Sequence, residues 1–473
     1  MGKGPQAQEM PPTSTRPRRG PGYLLIFILL VAFALRMLFF MAMVGHPDRF
    51  FQEDSNAYHR LAVNLVRFHR FGFFDEAGAW IPHVDRTPPY PAFLAAVYIV
   101  FGPLPAVAMI VQSLISTLTI ALAYRLGRLW GSPYTGAVVA IFVSIETGSV
   151  LYANQVMTET LFNVVFLGGI VIYSEMIWQR RWQYGFLSGA MLGLATLIRP
   201  ILSYFGPLAG LLSLLSYRGG RRQRWRAACS VVLAFFMAIT PWMIRNYAVA
   251  GQARLSTVQP ATLLFYNVRQ LRALQQGISI EEARTQLQEE VQRETSDSVR
   301  QDEAALMAYY QQKALYEMRT HWSDYALVHL KGSLVFFFIP TAGTVARALG
   351  WVRTGTGLLS NLMTRGLLDT WQSFHDFRRQ LSKVGYGDWL FFGAVGYELV
   401  YLFLLNVMAV WGSIRCLRAR RWYVLLLAVA IIGYFALVIG PLSYDARYRI
   451  PAIPFLALLA AVAFPGLSRT PNE

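Results

Sequence analysis

Acidic and basic side chains recur at the mouths of apolar segments in this chain, and their types are those of acid–base and phosphate chemistry. The first cluster lies in FQEDSNAYHRLAVNLVRFHRFGFF, where Glu53 and Asp54 precede a helical pattern running from Asn56. Asp85 and Arg86 follow in DRTPPYPAFLAAVYIVFG, Glu159 in NQVMTETLFNVVF, and Arg199 in GLATLIRPILSYF. Arg245 stands in TPWMIRNYAVAG, and SYDARYRIPAIP holds Arg447, Tyr448 and Arg449. A carboxylate fixed at a water–lipid boundary can act as a general base. An arginine presents a planar fork of donors that matches a phosphate. Each position also has a plainer reading. Asp54 can be a helix N-cap, Asp85 and Arg86 a surface ion pair, and Arg199 an arginine snorkelling to headgroups.

The elements that must position these groups are membrane helices. Of the 473 residues, 55% are hydrophobic and 15% charged, and mean hydropathy is +0.37. A soluble domain carries about 25% charged residues, so a disordered chain is excluded and a soluble enzyme disfavoured. Tyr23 to Val44 is long enough to span a bilayer, exceeds a signal-peptide core and lacks a small-residue cleavage site, so it reads as an uncleaved first helix. Further apolar runs lie near 105–124, 133–152, 159–178, 184–198, 201–217, 227–247, 390–414, 422–441 and 449–466. The expectation is an all-α polytopic protein of about ten spans. Two interfacial helices are added in the first outer loop, because the Leu61, Leu65 and Phe68 spacing is amphipathic and the 85–102 run is too short to cross.

The net charge of +17 is topogenic. Alternate connectors hold seventeen basic residues, among them Arg125, Arg181, Arg221 and Arg420, with Glu9 the only acid. The positive-inside rule makes those connectors and the N-terminus cytoplasmic. A nucleic-acid partner is not expected. Asp54, Asp85, Glu159, Arg86, Arg199, Arg245, Arg447 and Arg449 then all fall on the outer side, where arginines run against the bias. A lipid-linked phosphate would hold them there, and the carboxylates would activate an acceptor. The stretch 325–340 is apolar but short and reads as interfacial, with a second crossing in 342–388 as the alternative. Ser279 and Glu282 open a polar helical insert with a capping box. The two cysteines, Cys229 and Cys416, suggest neither a disulfide nor zinc, and the rarity of lysine fits a GC-rich bacterial genome.

Taken together, EDSNAYHRLAVNL, DRTPPYPAFLAAVYIVFG, TETLF, GLATLIRP, PWMIRNY and RYRIPAIP resemble the bacterial polyprenyl-phosphate-dependent glycosyltransferases of the GT-C superfamily. The relatives in view are the protein O-mannosyltransferases and the lipid A aminoarabinose transferase. The resemblance covers most of 22–250 and the last span. It implies the GT-C fold and inverting transfer from an undecaprenyl-phosphate sugar to a lipid, protein or cell-wall glycan hydroxyl, at the outer face of a bacterial plasma membrane. It makes Asp54 the base, gives Tyr58 an aromatic position, and matches Asp85, Arg86 and Glu159 to site positions. Arg199 would meet the donor phosphate, and Arg447, Tyr448 and Arg449 would form a late motif near it. Many members have a second acid after the first, where this chain has Ser55, so Glu53 competes with Asp54. No certain cofactor is implied; some members of the family use a metal, and although no His, Asp or Glu set here has ligand-like spacing, a divalent metal stays open. The implied organisation is a basic tail (1–21), a catalytic module (22–250), an outer helical insert with interfacial segments (251–389), C-terminal spans (390–467) and a short tail (468–473). A lipid or small-molecule transporter and an envelope-assembly scaffold are the rival readings.

Overall fold

The computed structural model describes residues 22–351, 386–440 and 445–464. Both expected tails, and the stretch 352–385 within the alternative crossing, lie outside the described residues. Every expected apolar run contains a helix. Six helices among the described residues are long and apolar enough to cross a membrane: Gly22–Met43 (α1), Pro105–Trp130 (α4), Glu159–Gln179 (α7), Arg221–Ala250 (α10), Trp389–Arg418 within Tyr386–Arg418 (α18), and Trp422–Ile439 (α19). The other runs give shorter helices. Tyr184–Ile198 (α8) has 15 residues and Phe205–Ser216 (α9) has 12. At 1.5 Å per residue, α8 is about 22 Å long, less than a bilayer core. The last run gives Ile453–Val462 (α20). The 133–152 run is broken into Pro133–Ser144 (α5) and Thr147–Tyr152 (α6), because the Glu146 carboxylate accepts from Gly148 N at 3.1 Å and Ser149 N at 2.5 Å and so starts a new helix.

The two surface helices are present as Ser55–Phe68 (α2) and Pro89–Phe101 (α3), between α1 and α4. Tyr58, Leu61 and Ala62 are the buried stripe of α2, and His59 Nδ1 lies 2.9 Å from Tyr98 Oη of α3. Between them stands an antiparallel hairpin that was not expected, Gly72–Phe74 (β1) paired with Trp80–Pro82 (β2). Its turn uses Gly78 at φ +79°.

Helix α8 packs on α10 backbone against backbone. Gly185, Gly189 and Gly193 line the contact, and a Cβ on Gly189 would stand 2.2 Å from Val231 O. This four-residue spacing of small residues is a membrane packing motif, and it fixes the height of Arg199 at the end of α8. Gly189→Leu is expected to lower the thermal midpoint of the detergent-solubilised protein sharply, whereas Leu187→Ala on the exposed side changes it little.

Beyond α10, Val258–Thr262 (α11) leads through a π-helical turn, Leu263–Val268, into Arg269–Gln276 (α12), Ile280–Glu294 (α13), Asp297–Gln301 (α14) and Glu303–Thr320 (α15). The expected capping box is formed, with Ser279 Oγ accepting from Glu282 N at 3.1 Å and Glu282 Oε2 accepting from Ser279 N at 2.8 Å. The segment around 325–340 is Trp322–Val335 (α16), followed by Ala342–Leu349 (α17). Ser333 Oγ donates to Ala436 O at 3.0 Å and His329 Nε2 lies 2.7 Å from Leu437 O, both in the last turn of α19. At 14 residues, α16 is not among the helices long and apolar enough to cross a membrane.

Candidate active site

Asp54, Asp85, Glu159, Arg86, Arg199, Arg447, Tyr58 and Tyr448 line one cavity of about 490 Å³ at the helix ends. Asp54 follows a short 3-10 turn, Pro47–Phe50. That loop is pinned by Val156 N donating to Phe50 O at 2.9 Å and by Gln52 Nε2 donating to Gln155 Oε1 at 2.5 Å. Gln112 of α4 in turn donates to Gln155 O at 2.8 Å. The Asp54 side chain makes no cap hydrogen bond to α2. It faces the cavity instead, 32% exposed, with Oδ1 2.5 Å from Arg86 Nη2 and Oδ2 3.9 Å from Arg447 Nη1. The plain N-cap reading therefore does not describe it.

Glu159 opens α7 and is 1% exposed. Arg199, 12% exposed, reaches it at 2.9 Å from the end of α8, and Arg447 Nε lies 3.9 Å away. The Tyr448 ring lies between the two arginines, at 5.1 Å from Arg199 and 5.0 Å from Arg447. Burial opposes the charge on Arg447, but Tyr448, Asp445 and Glu159 outweigh it and hold the guanidinium protonated well above its ordinary range. Burial also pushes the Tyr58 phenol up to about 12, so it stays neutral at physiological pH and presents its ring to Arg86 at 5.6 Å.

Three sequence candidates lie apart from the cavity wall. Glu53 is exposed and not among the lining residues. Arg245 donates to His83 O at 2.7 Å and to Asn246 Oδ1 at 2.9 Å, and its guanidinium stacks over Trp242. Arg449 is 1% exposed and donates to Ile339 O at 2.5 Å, with Glu398 of α18 at 3.7 Å. Glu398 also accepts from Thr341 N and Ala342 N at 2.7 and 2.8 Å. This pair clamps the start of α17 to the bundle. Arg449→Ala is expected to cost about 3–5 kcal/mol by stranding a buried carboxylate. The double variant Arg449→Met with Glu398→Gln should recover part of that loss in a detergent melt.

The sequence reading missed the opposite wall, a strap of Arg254, Leu255, Ser256, Val258, Gln259 and Asn267. It is tied down at Asp85. Ser256 Oγ donates to Asp85 O at 2.6 Å, Thr257 Oγ1 donates to the Asp85 carboxylate, and Glu303 Oε1 lies 3.3 Å from the same hydroxyl. One hydroxyl proton serves two carboxylates, so a proton on Glu303 completes the set. Burial first, and then the Asp85 charge, raise Glu303 above its ordinary 4.5. The contact is therefore fully present below 4.5 and weakens as pH rises through the higher folded-state value. Proteolysis within 252–258 should accelerate over that window in the wild type and lose its pH dependence in Glu303→Gln. Parallel pH profiles would refute this.

Among the described residues, no group of three or more His, Cys, Asp or Glu side chains is placed to hold a metal. Asp54 and Glu159 each face guanidinium groups rather than further oxygen or imidazole ligands, a donor set that does not suit a divalent cation.

The fold is similar to that of the Archaeoglobus fulgidus oligosaccharyltransferase in its apo form, at TM-score 0.51 and 13% identity over 93% of this chain and 50% of that one. The same enzyme in complex with Zn and sulfate aligns at TM-score 0.46 and 14% identity, over 92% and 48% of the two chains. The chain thus spans about half the length of these structures. No curated protein matches the sequence. The helical architecture and this likeness define a polytopic membrane protein with the GT-C fold. Residues 85–244, about a third of the chain, match the family model described as dolichyl-phosphate-mannose-protein mannosyltransferase. The matched stretch contains Asp85, Arg86, Glu159 and Arg199, whereas Asp54 and Arg447 lie beyond it.

Proposed function

We propose that this chain transfers a sugar from a polyprenyl-phosphate donor, undecaprenyl phosphate in a bacterium, to a hydroxyl acceptor at the outer face of the plasma membrane. The observation that carries this reading is the composition of the cavity. Asp54, Arg199 and Arg447 open onto a space whose remaining wall includes Ile201, Ile239 and Met243. Tyr204, 64% exposed, and Phe236 continue that wall onto the outside of the bundle. A phosphate can meet the arginines while an apolar tail leaves sideways between α9, α10 and α19.

In the reaction, the acceptor oxygen attacks the anomeric carbon opposite the phosphate, and Asp54 takes the hydroxyl proton as the new bond forms. The bond from carbon to phosphate oxygen breaks, configuration inverts, and the lipid phosphate departs with the electron pair. Arg199 and Arg447 stabilise the charge developing on it. Asp85 holds the strap that faces them.

A transporter would place its site near the bilayer midplane between paired broken helices. The break in the 133–152 run leads within one six-residue helix to the 153–158 turn, and the cavity lies at helix ends, which favours the enzyme. The test is mass spectrometry of co-extracted lipids from wild type and Arg199→Ala. Polyprenyl phosphate retained only by the wild type is the expected result. Bulk phospholipid alone in both, with no transfer from undecaprenyl-phosphate mannose or aminoarabinose, would overturn the reading.

A further inference from the structure

Arg36 sits in the membrane helix α1, fully buried, and the cavity described above does not include it. Its partners are neutral: Nε donates to Ser116 Oγ at 2.7 Å, and Nη1 to Ala32 O at 3.0 Å and Ser144 O at 3.4 Å. Among the described residues Glu146 attracts it only from beyond ion-pair distance, and Nη2 is buried without a hydrogen-bond partner. A charge left in this state inside a membrane protein is costly and marks a role.

A second, small internal cavity adjoins Arg36 and is lined by Ser116, Ser149, Tyr152, Glu159 and Asn163. Glu159 and Asn163 stand one turn apart on α7 and share a face. Both Glu159 carboxylate oxygens and Asn163 Oδ1 are buried and form no hydrogen bond among the described residues, although Arg199 faces Glu159 as a counter-charge. The cavity has about 10 Å³ for the centre of a water-sized sphere, which is room for about one molecule.

We propose that one ordered water occupies this cavity, accepting from Arg36 Nη2 and donating to the Glu159 carboxylate and to Asn163 Oδ1. The two water protons serve Glu159 Oε2 and Asn163 Oδ1, while Glu159 Oε1 keeps Arg199 as its counter-charge at 2.9 Å. Arg36 is then a positioning residue. Through the water it holds Glu159 from behind, so that the carboxylate orients Arg199 toward the lipid phosphate. This last step rests on the proposed donor.

The test uses the full chain in lipid nanodiscs. A cryo-EM map that resolves ordered water elsewhere should show density between Arg36, Glu159 and Asn163. In a map of Arg36→Gln, the Glu159 carboxylate should be displaced from Arg199. Arg36→Gln and Asn163→Leu should each lower the thermal midpoint, and the double variant should fall no further than the worse single. Native mass spectrometry with added undecaprenyl phosphate should show about tenfold weaker binding in Arg36→Gln, partly restored in Arg36→Lys. A purely structural arginine would give no such graded recovery. Empty density, an unmoved Glu159 or additive losses overturn the proposal, and Asn163→Leu carries the binding test if Arg36→Gln fails to fold. If wild type binds no undecaprenyl phosphate, the donor reading fails, while the maps and the melts still decide the water.

Discussion

Asp54→Asn is expected to reduce sugar transfer by about 10²–10⁴-fold, the range that a positioned general base contributes, while lipid retention and thermal midpoint stay near wild type. The geometry makes this substitution informative. Asn keeps an oxygen that can still accept from Arg86, now at 2.5 Å from Asp54, so the loop and α2 have no reason to move. What is lost is the capacity to take a proton. Glu53→Gln is the paired control, because Glu53 is exposed and stands off the cavity wall. Undiminished transfer by Asp54→Asn alongside loss in Glu53→Gln would reverse the assignment of the base. The measurement is single-turnover transfer from a polyprenyl-phosphate sugar, with retained carrier lipid quantified in the same preparations.

The second large effect is at Arg199. On the proposed function its removal takes away a donor to the lipid phosphate, and it also strands Glu159, which is 1% exposed. Breaking a buried pair from one side costs about 3–5 kcal/mol. Arg199→Ala should therefore lose both bound polyprenyl phosphate and stability. Arg199→Met combined with Glu159→Gln separates the two effects: stability should return, and lipid retention should not. Recovery of both would mean that Arg199 serves only the fold. Arg199→Lys keeps the charge and loses the planar fork, and should retain lipid at reduced occupancy.

Much of this was legible in the chain because membrane helices announce themselves by composition and because charges at helix mouths are rare enough to notice. Asp54, Glu159 and Arg199 were visible in that way, and α2 and α3 by their short, amphipathic or proline-led patterns. Arg447 and Arg449 show the limit. They lie two residues apart in one short segment, yet one reaches the cavity and the other is buried against Glu398. A 3-10 turn over Ala446–Ala452 points them in different directions, and spacing alone does not reveal a turn whose conformation depends on tertiary packing. Glu398 itself, inside an otherwise apolar run, was a usable signal, since a lone membrane carboxylate calls for a partner. The repeat Gly185, Gly189 and Gly193 was another, because small residues at four-residue spacing mark helix contact. The strap had no comparable signal. Ser256, Thr257, Gln259 and Asn267 are ordinary loop residues in type, and only long-range contact with Asp85 and α15 gives them a place.

That strap separates the parts of the site by their origin in the chain. Of the groups proposed to handle the donor phosphate, Arg199 ends a helix packed backbone to backbone on α10, and Arg447 stands in the 3-10 turn before α20. The facing wall is a single contiguous stretch, fastened through Ser256, Thr257 and Arg254 to Asp85, Glu303 and Gln311. A cavity assembled in this way can diverge on one side only. If the proposed donor is right, exchange of the strap and the helices behind it would redraw the facing wall and leave Arg199 and Arg447 in place, so related chains are expected to vary more on the strap side of the cavity than on the arginine side.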